Sequence, residues 1–342
     1  MSTTTTSSAA AAEFARRQQS PLQKVQHQLH GRPWLSPLFL LLVAFLAFFI
    51  ATPTFLTANS MGILLQQTAV VAALAVGQTL VILTAGIDLS VGAIMVLSSI
   101  AMAKLSADSG VPGLPALLIG FGVGTACGLL NGALVTRLRL PPFIVTLGTL
   151  NVFFALNLYY SKSETIRGVD MSDLLLWTGN TISVGDTKIT YGSLIMLGMF
   201  AAFWWVLKNT AWGRHVYASG DDAEAARLAG VRTDRVLLSV YIVAGLICAV
   251  AGWMLIGRIA SASPQAGLNA NLDSITAVVI GGTSLFGGRG LVVGTLFGAL
   301  IVGVLRNGLT LAGTDVLWQD FAVGVLIIAA VAIDQWIRKV KA

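Results

Sequence analysis

Residues 236–257 read VLLSVYIVAGLICAVAGWMLIG, twenty-two positions without one charged side chain. As a helix rising 1.5 Å per residue this stretch covers about 33 Å, enough to cross a hydrocarbon core of about 30 Å. A surface helix of a soluble protein would show a charged face at period 3.6. This one shows none, so it reads as a membrane span. Working outward, windows of the same character fall at 34–55, 61–84, 88–104, 115–136, 141–161, 190–207, 273–288, 291–305 and 317–337, ten in all. Over 342 residues, 56% are hydrophobic and 11% charged, against about 25% charged in a soluble domain. The expected fold is an all-α integral membrane protein, a polytopic bundle of about ten transmembrane helices. The windows near 88–104 and 273–305 are short and glycine-rich, and broken or re-entrant pieces are expected there.

The formal net charge of +6 points to membrane orientation rather than nucleic acid, because the basic residues flank the apolar runs. With a cytoplasmic N-terminus and ten spans, fifteen of the 21 basic residues fall inside and six outside. Both termini are therefore expected in the cytoplasm of a bacterial inner membrane. The polar leader 1–33, opening MSTTTTSSAAAA, reads as disordered and cytoplasmic. Residues 34–342 form the membrane domain. A mixed-charge loop at 162–189 is expected outside, and a basic loop at 208–235 inside. Cys127 and Cys248 lie within apolar runs, and no metal-ligand pattern is present.

The inner loop reads WGRHVYASGDDAEAARLAGVRTDR over 212–235. Ser219 and Asp222 have the spacing of a capping box. Asp221, Asp222 and Glu224 suit a first turn, and Arg227 a last one. Gly230 stands where a left-handed residue ends the helix. Ala225, Ala226 and their neighbours keep this short helix narrow. A solvated loop helix would satisfy the pattern, but a narrow, well-terminated helix with few core-forming side chains suits docking against a partner.

Asp88 lies in Thr84-Ala-Gly-Ile-Asp-Leu-Ser-Val-Gly92, between two apolar windows. A charge at the bilayer centre costs about 2.5–3.5 kcal/mol on insertion scales. Asp88 or Ser90 therefore serves as a helix cap, or the segment is a broken helix lining a path. Gln67 and Gln78, eleven residues apart, share a helix face that must look inward; interhelical bonding and path-lining both remain open for them. Asn151, Asn157, Thr283 and Ser284 are candidates of the same kind. Gly120, Gly124, Gly128 and Gly132 make a ridge at four-residue spacing, repeated by Gly294 and Gly298, which reads as helix packing. Asn131-Gly132 and Asn307-Gly308 follow the two ridges and hint at related halves.

No nucleotide loop of the form G-x-x-x-x-G-K-[ST] is present, so any ATP hydrolysis must come from another subunit. An ion-coupled carrier or channel for a small polar solute is the alternative, but such carriers place titratable groups in mid-span. A membrane enzyme is disfavoured, since all three histidines lie outside the spans.

Four ordered strings carry a resemblance: GQTLVILTAGIDLSVGAI (77–94), GLLNGALVTRLRLPPFIVTLGT (128–149), the loop at 212–235, and AVVIGGTSLFGGRGLVVGTLFGALIVGVLRNGL (277–309). From about residue 60 onward the chain resembles the ribose-type family of ABC sugar permeases. It is most similar to the fructose-type branch at TAGIDLSVGAIMVLSS (84–99), GDDAEAARLAGV (220–231) and AVAIDQWIRKV (330–340). The resemblance implies a type II ABC-importer permease fold. It also implies a coupling helix built from Gly220, Asp221, Glu224, Ala225, Ala226, Leu228 and Gly230 that seats in a separate cytoplasmic ATPase subunit. ATP and magnesium would be held by that partner, and this chain would bind no cofactor. A permease homodimer and a periplasmic sugar-binding protein are implied too. The implied cargo is a monosaccharide, fructose first, with ribose, mannose or xylose as alternatives.

Overall fold

The computed structural model describes residues 34–267 and 269–339, so the leader lies outside the described residues. Among the described residues the fold is helical, with one small β-hairpin and one short pairing of two strands far apart in sequence. In order the elements are α1 (Leu35–Ala51), α2 (Ala58–Leu83), α3 (Val91–Ala107), α4 (Gly113–Arg137) and α5 (Pro142–Ser161). They are followed by β1 (Ile166–Arg167), α6 (Asp173–Leu176), β2 (Thr181–Val184), β3 (Thr187–Thr190) and α7 (Tyr191–Asn209). Next come α8 (Ala211–Asp221), α9 (Ala223–Leu228), α10 (Thr233–Ile259), β4 (Ser261–Ala262), α11 (Ala270–Ile280), α12 (Val292–Leu311) and α13 (Val316–Lys339).

Among the described residues, six helices are long and apolar enough to cross a membrane: α2, α4, α5, α7, α10 and α12. α1, α3, α11 and the first part of α13 are apolar but shorter. α10 contains the stretch read first, and α2 and α10 form the centre of the bundle, lined by fully buried Leu74, Leu80, Ile247 and Met254. The outer helices expose large apolar side chains, among them Phe39, Ile50, Leu118, Ile144 and Trp205. In water that surface would be a severe liability, whereas lipid covers it without cost.

The two ends of the bundle differ. One end carries the antiparallel pairs β1–β4 and β2–β3 and a stack in which Trp177 lies on Tyr191 and Trp253, with ring centroids 4.6 and 5.9 Å apart. The other end carries α8, α9 and the turn at 281–291. α2 runs from the hairpin end, where Gly62 meets the Lys188 backbone, to the α8 end, where Leu83 accepts from the Gly288 N–H at 3.0 Å. α10 runs the opposite way.

Each of these central helices is followed by a break and then a shorter helix. After α2 the chain turns at Ala85, whose φ of 60° is left-handed, and folds back before α3 starts at Val91. After α10 it turns at Ala260, φ 48°, and runs irregularly to α11 at Ala270. The two breaks meet inside the bundle: Asn271 Nδ2 donates to the Leu89 carbonyl at 3.2 Å, and a Cβ on Gly92 would stand 3.2 Å from the Gly267 carbonyl oxygen. α11 has only 11 residues, about 16 Å, or half a bilayer. Of the windows expected to be broken, 88–104 holds the unbroken α3 with the break just ahead of it, and 273–305 is interrupted at 281–291, between α11 and α12. The order of long helix, break, short helix, glycine-ridged helix and outer helix occurs twice, in opposite senses.

The ridges are packing surfaces. A Cβ on Gly124 would come 2.6 Å from the Gly245 carbonyl oxygen of α10, and Gly128 and Gly132 lie against Tyr241 of the same helix. Gly120 accommodates Met102 of α3. Gly294 and Gly298 bring α12 against Gly281 and Ala277 of α11. Close backbone approach replaces hydrophobic burial as the source of cohesion between spans.

Candidate functional site

The projecting unit of 208–235 is α9 rather than one helix opened at Ser219. Thr210 caps α8, accepting from the Gly213 N–H at 3.1 Å. Ser219 and Gly220 fall in the last turn of α8, both buried. This corrects the capping-box expectation: Asp222 is the N-cap of α9, its Oδ1 accepting from the Glu224 and Ala225 N–H groups, each at 2.9 Å. A carboxylate satisfies two free N–H groups where a serine hydroxyl satisfies one, and the helix dipole favours the charge there. Asp221 ends α8, so Glu224 is the acid of the first turn.

The exit of α9 is as expected. Gly230 has φ 88°, its N–H donates to the Arg227 carbonyl at 3.0 Å, and the Val231 N–H donates to Ala226 at 3.0 Å. That pair of bonds is a Schellman ending. Ala226 is the buried residue of α9, while Glu224, Ala225, Arg227 and Leu228 face outward. Leu228 is 86% exposed, a large apolar side chain at the tip.

Gly220 serves the root of this knob instead of its surface. A Cβ there would overlap the Leu83 carbonyl oxygen and stand 2.8 Å from the Gly288 nitrogen. α8 thus rests on the end of α2 and on the turn containing Thr283 and Ser284. The Tyr217 hydroxyl donates to the Gly290 carbonyl at 2.9 Å, and burial pushes its pKa above the ordinary tyrosine value. The Trp212 indole N–H donates to Ser239 Oγ of α10 at 2.8 Å. α8 therefore contacts both central helices, α2 through Gly220 against Leu83 and α10 through Trp212 and Ser239.

Mid-bundle, Asp88 accepts from the Ser90 N–H at 2.8 Å and the Ser90 hydroxyl at 2.6 Å, and Asn131 Nδ2 donates to Ser90 Oγ at 2.8 Å. Asp88 thus stabilises the turn ahead of α3 and leaves the first N–H groups of the helix uncapped. Gln78 brackets the Asp88 peptide, donating to its carbonyl at 3.1 Å and accepting from its N–H at 3.3 Å. Asn157 Nδ2 donates to the Pro264 carbonyl at 2.8 Å, and Ser284 accepts from the Phe286 N–H at 3.2 Å through its hydroxyl. Gln78, Asn157 and Ser284 therefore hold breaks and turns with their polar atoms, and Thr283 is buried in the same turn.

Gln67 and Asn151 instead face open space, on opposite sides of the segment 264–272. Asn151 borders an apolar cavity of about 330 Å³ with Val96, Leu147, Leu150 and Phe154. Gln67 borders a cavity of about 670 Å³ with Gln66, Arg258, Asp273, Arg306 and Asp320. Arg306 lies 2.8 Å from Asp273 and 3.1 Å from Asp320, tying α11, α12 and α13 together. Arg258 and Arg306 are not among the candidates drawn from the sequence, because each stands just past the end of an apolar window. The available signal was Asp320 inside the last apolar window and an arginine at the end of each of two others.

A glycine-ridged bundle with two mid-depth breaks, a polar cavity between spans and a capped knob at one end defines a membrane transport protein. Residues 60–331 match the family described as the permease component of the branched-chain amino acid transport system, and the chain belongs to that family. It is 55% identical to the fructose import permease FrcC of Rhizobium meliloti, over 94% of this chain and 90% of that protein. It is 40% identical to the ribose import permease RbsC of Bacillus subtilis (strain 168), over 88% and 92% of the two chains. The galactose/methyl galactoside import permease MglC of Escherichia coli (strain K12) is 34% identical over 87% and 93%.

Proposed function

We propose that this chain is the membrane-spanning subunit of an ATP-driven monosaccharide importer, with fructose as its cargo. The observation that carries the reading is the 55% identity with a fructose import permease along nearly the whole of both chains. Permeases for ribose and for galactose are more distant at 40% and 34%. Six long helices, three shorter apolar ones, and α11 counted with the segment before it as one crossing support a reading of ten spans. An even number agrees with both termini lying on the α8 side, which the positive-inside rule makes the cytoplasmic one in this reading. The type II arrangement and the homodimer belong to the same proposal.

In this mechanism a separate ATPase holds ATP and magnesium and receives α9 in a cleft. Closure of the ATPase pair moves α9 as a rigid body. The motion reaches α2 through Gly220 against Leu83, and α10 through Trp212 and Ser239. A periplasmic sugar-binding protein delivers the monosaccharide to the hairpin end, so selectivity is shared with that partner.

The experiment is uptake of labelled fructose by a transport-null strain expressing the chain with its ATPase and binding protein. Saturable fructose uptake that disappears with an inactive ATPase supports the reading. Uptake by the chain alone, driven by an ion gradient, overturns it.

A further inference from the structure

We propose that the monosaccharide is held during passage in the cavity between α2, α10, α11, α12 and α13, by Gln66, Gln67, Arg258 and Asp320. This deepens the function proposed above and rests on it.

Charged side chains between membrane spans are costly and mark solute pathways more often than packing. Four of them, Arg258, Asp273, Arg306 and Asp320, border this one space of about 670 Å³, a size within the usual range for small-molecule sites. Their charges cancel, so neither an anion nor a cation is favoured. A neutral ligand rich in hydroxyl groups fits, because guanidinium and amide N–H groups donate while carboxylate and amide oxygens accept.

The unused hydrogen-bonding capacity is specific. Among the described residues, the side-chain amides of Gln66 and Gln67 have no hydrogen-bond partner, although both border the space. Arg258 has no carboxylate partner among the described residues and donates to the Gln67 backbone carbonyl at 3.3 Å. Arg306 is already committed to Asp273 and Asp320 and holds Asp320 in place. Val70, Met95 and Leu255 supply an apolar wall suited to the C–H face of a pyranose or furanose ring. The cavity on the other side of residues 264–272 offers only Asn151 and Asn271 among apolar neighbours, too few groups to replace the hydration of a sugar.

The test uses the assembled importer in proteoliposomes with labelled fructose. The Gln66→Leu/Gln67→Leu double variant removes the two unpartnered amides and leaves the Arg306 cluster intact. Uptake at subsaturating sugar should fall at least tenfold, about 1.4 kcal/mol, while the variant still co-purifies with its ATPase subunit in wild-type amount. Asn151→Leu, in the other cavity, should stay within twofold. In a second measurement, modification of Gln67→Cys by a thiosulfonate reagent should slow when fructose-loaded binding protein is present. Double-variant uptake within twofold of a working wild type overturns the assignment while leaving the importer reading in place. A wild-type complex that takes up no monosaccharide overturns both.

Discussion

Replacing Asp222 by alanine removes both side-chain bonds that start α9, to Glu224 and Ala225 at 2.9 Å each. Loss of a cap of this kind costs about 0.5–2 kcal/mol, and loss of an acid at the dipole adds about 0.3–1 kcal/mol. α9 has six residues, and so short a helix has little stability of its own. A loss of about 1.5 kcal/mol shifts its open-to-closed ratio roughly tenfold. Hydrogen exchange at residues 223–228, measured by mass spectrometry on the detergent-solubilised protein, should accelerate about tenfold in Asp222→Ala. Asp222→Asn, which caps comparably well, should exchange within about threefold of wild type. Ser219→Ala should not change exchange at all, because the Ser219 hydroxyl is buried without a partner among the described residues. Faster exchange in Ser219→Ala than in Asp222→Ala would refute this reasoning and restore the capping-box reading.

Gly124→Leu, with the Gly245 backbone 2.6 Å from the added Cβ, should destabilise the solubilised protein by at least about 1–3 kcal/mol in thermal unfolding. Gly122→Leu, where nothing lies within 4 Å, should be neutral. Arg306→Met leaves Asp273 and Asp320 without their cation and should lower stability by about 3 kcal/mol, far more than Arg227→Met at the exposed Arg227–Asp234 pair. Burial raises the Tyr217 pKa, so the folded state keeps this proton after an unfolded chain has lost it. Its contribution is complete below about pH 10 and declines as pH rises further; Tyr217→Phe should abolish that decline in a stability-against-pH profile.

The span pattern was legible because uncharged runs such as 236–257 have one stable solvent. The break ahead of α3 was legible from the short, glycine-rich window that follows it, whereas the break after Ala260 falls between two windows and carried no such signal. Their meeting was not legible either, because the contact of Asn271 with Leu89 joins residues 182 positions apart that share no local pattern. The exit of α9 could be read from Gly230, since left-handed backbone selects glycine. The entry could not, because Ser219 and Asp222 both satisfy cap chemistry and only tertiary packing of Gly220 on Leu83 extends α8 past Ser219. Gln78 and Asn157 could be read as interhelical partners or as path residues, because a polar side chain in an apolar run carries the same signal whether it bonds a backbone break or a ligand. The charged cavity was hidden for a related reason: Arg258 and Arg306 stand at the ends of apolar windows, where a snorkelling surface arginine would also stand.

Leu228, exposed at the tip of α9, offers the most direct test of coupling through a cytoplasmic knob. The native cysteines, Cys127 and Cys248, are buried, so Leu228→Cys supplies a nearly unique thiol for a membrane-impermeant maleimide. Labelling is expected only after the cells are opened, and it should fall sharply when the ATPase subunit is bound. Labelling in intact cells, or labelling indifferent to the ATPase, would contradict the placement of α9 between the engine and the membrane.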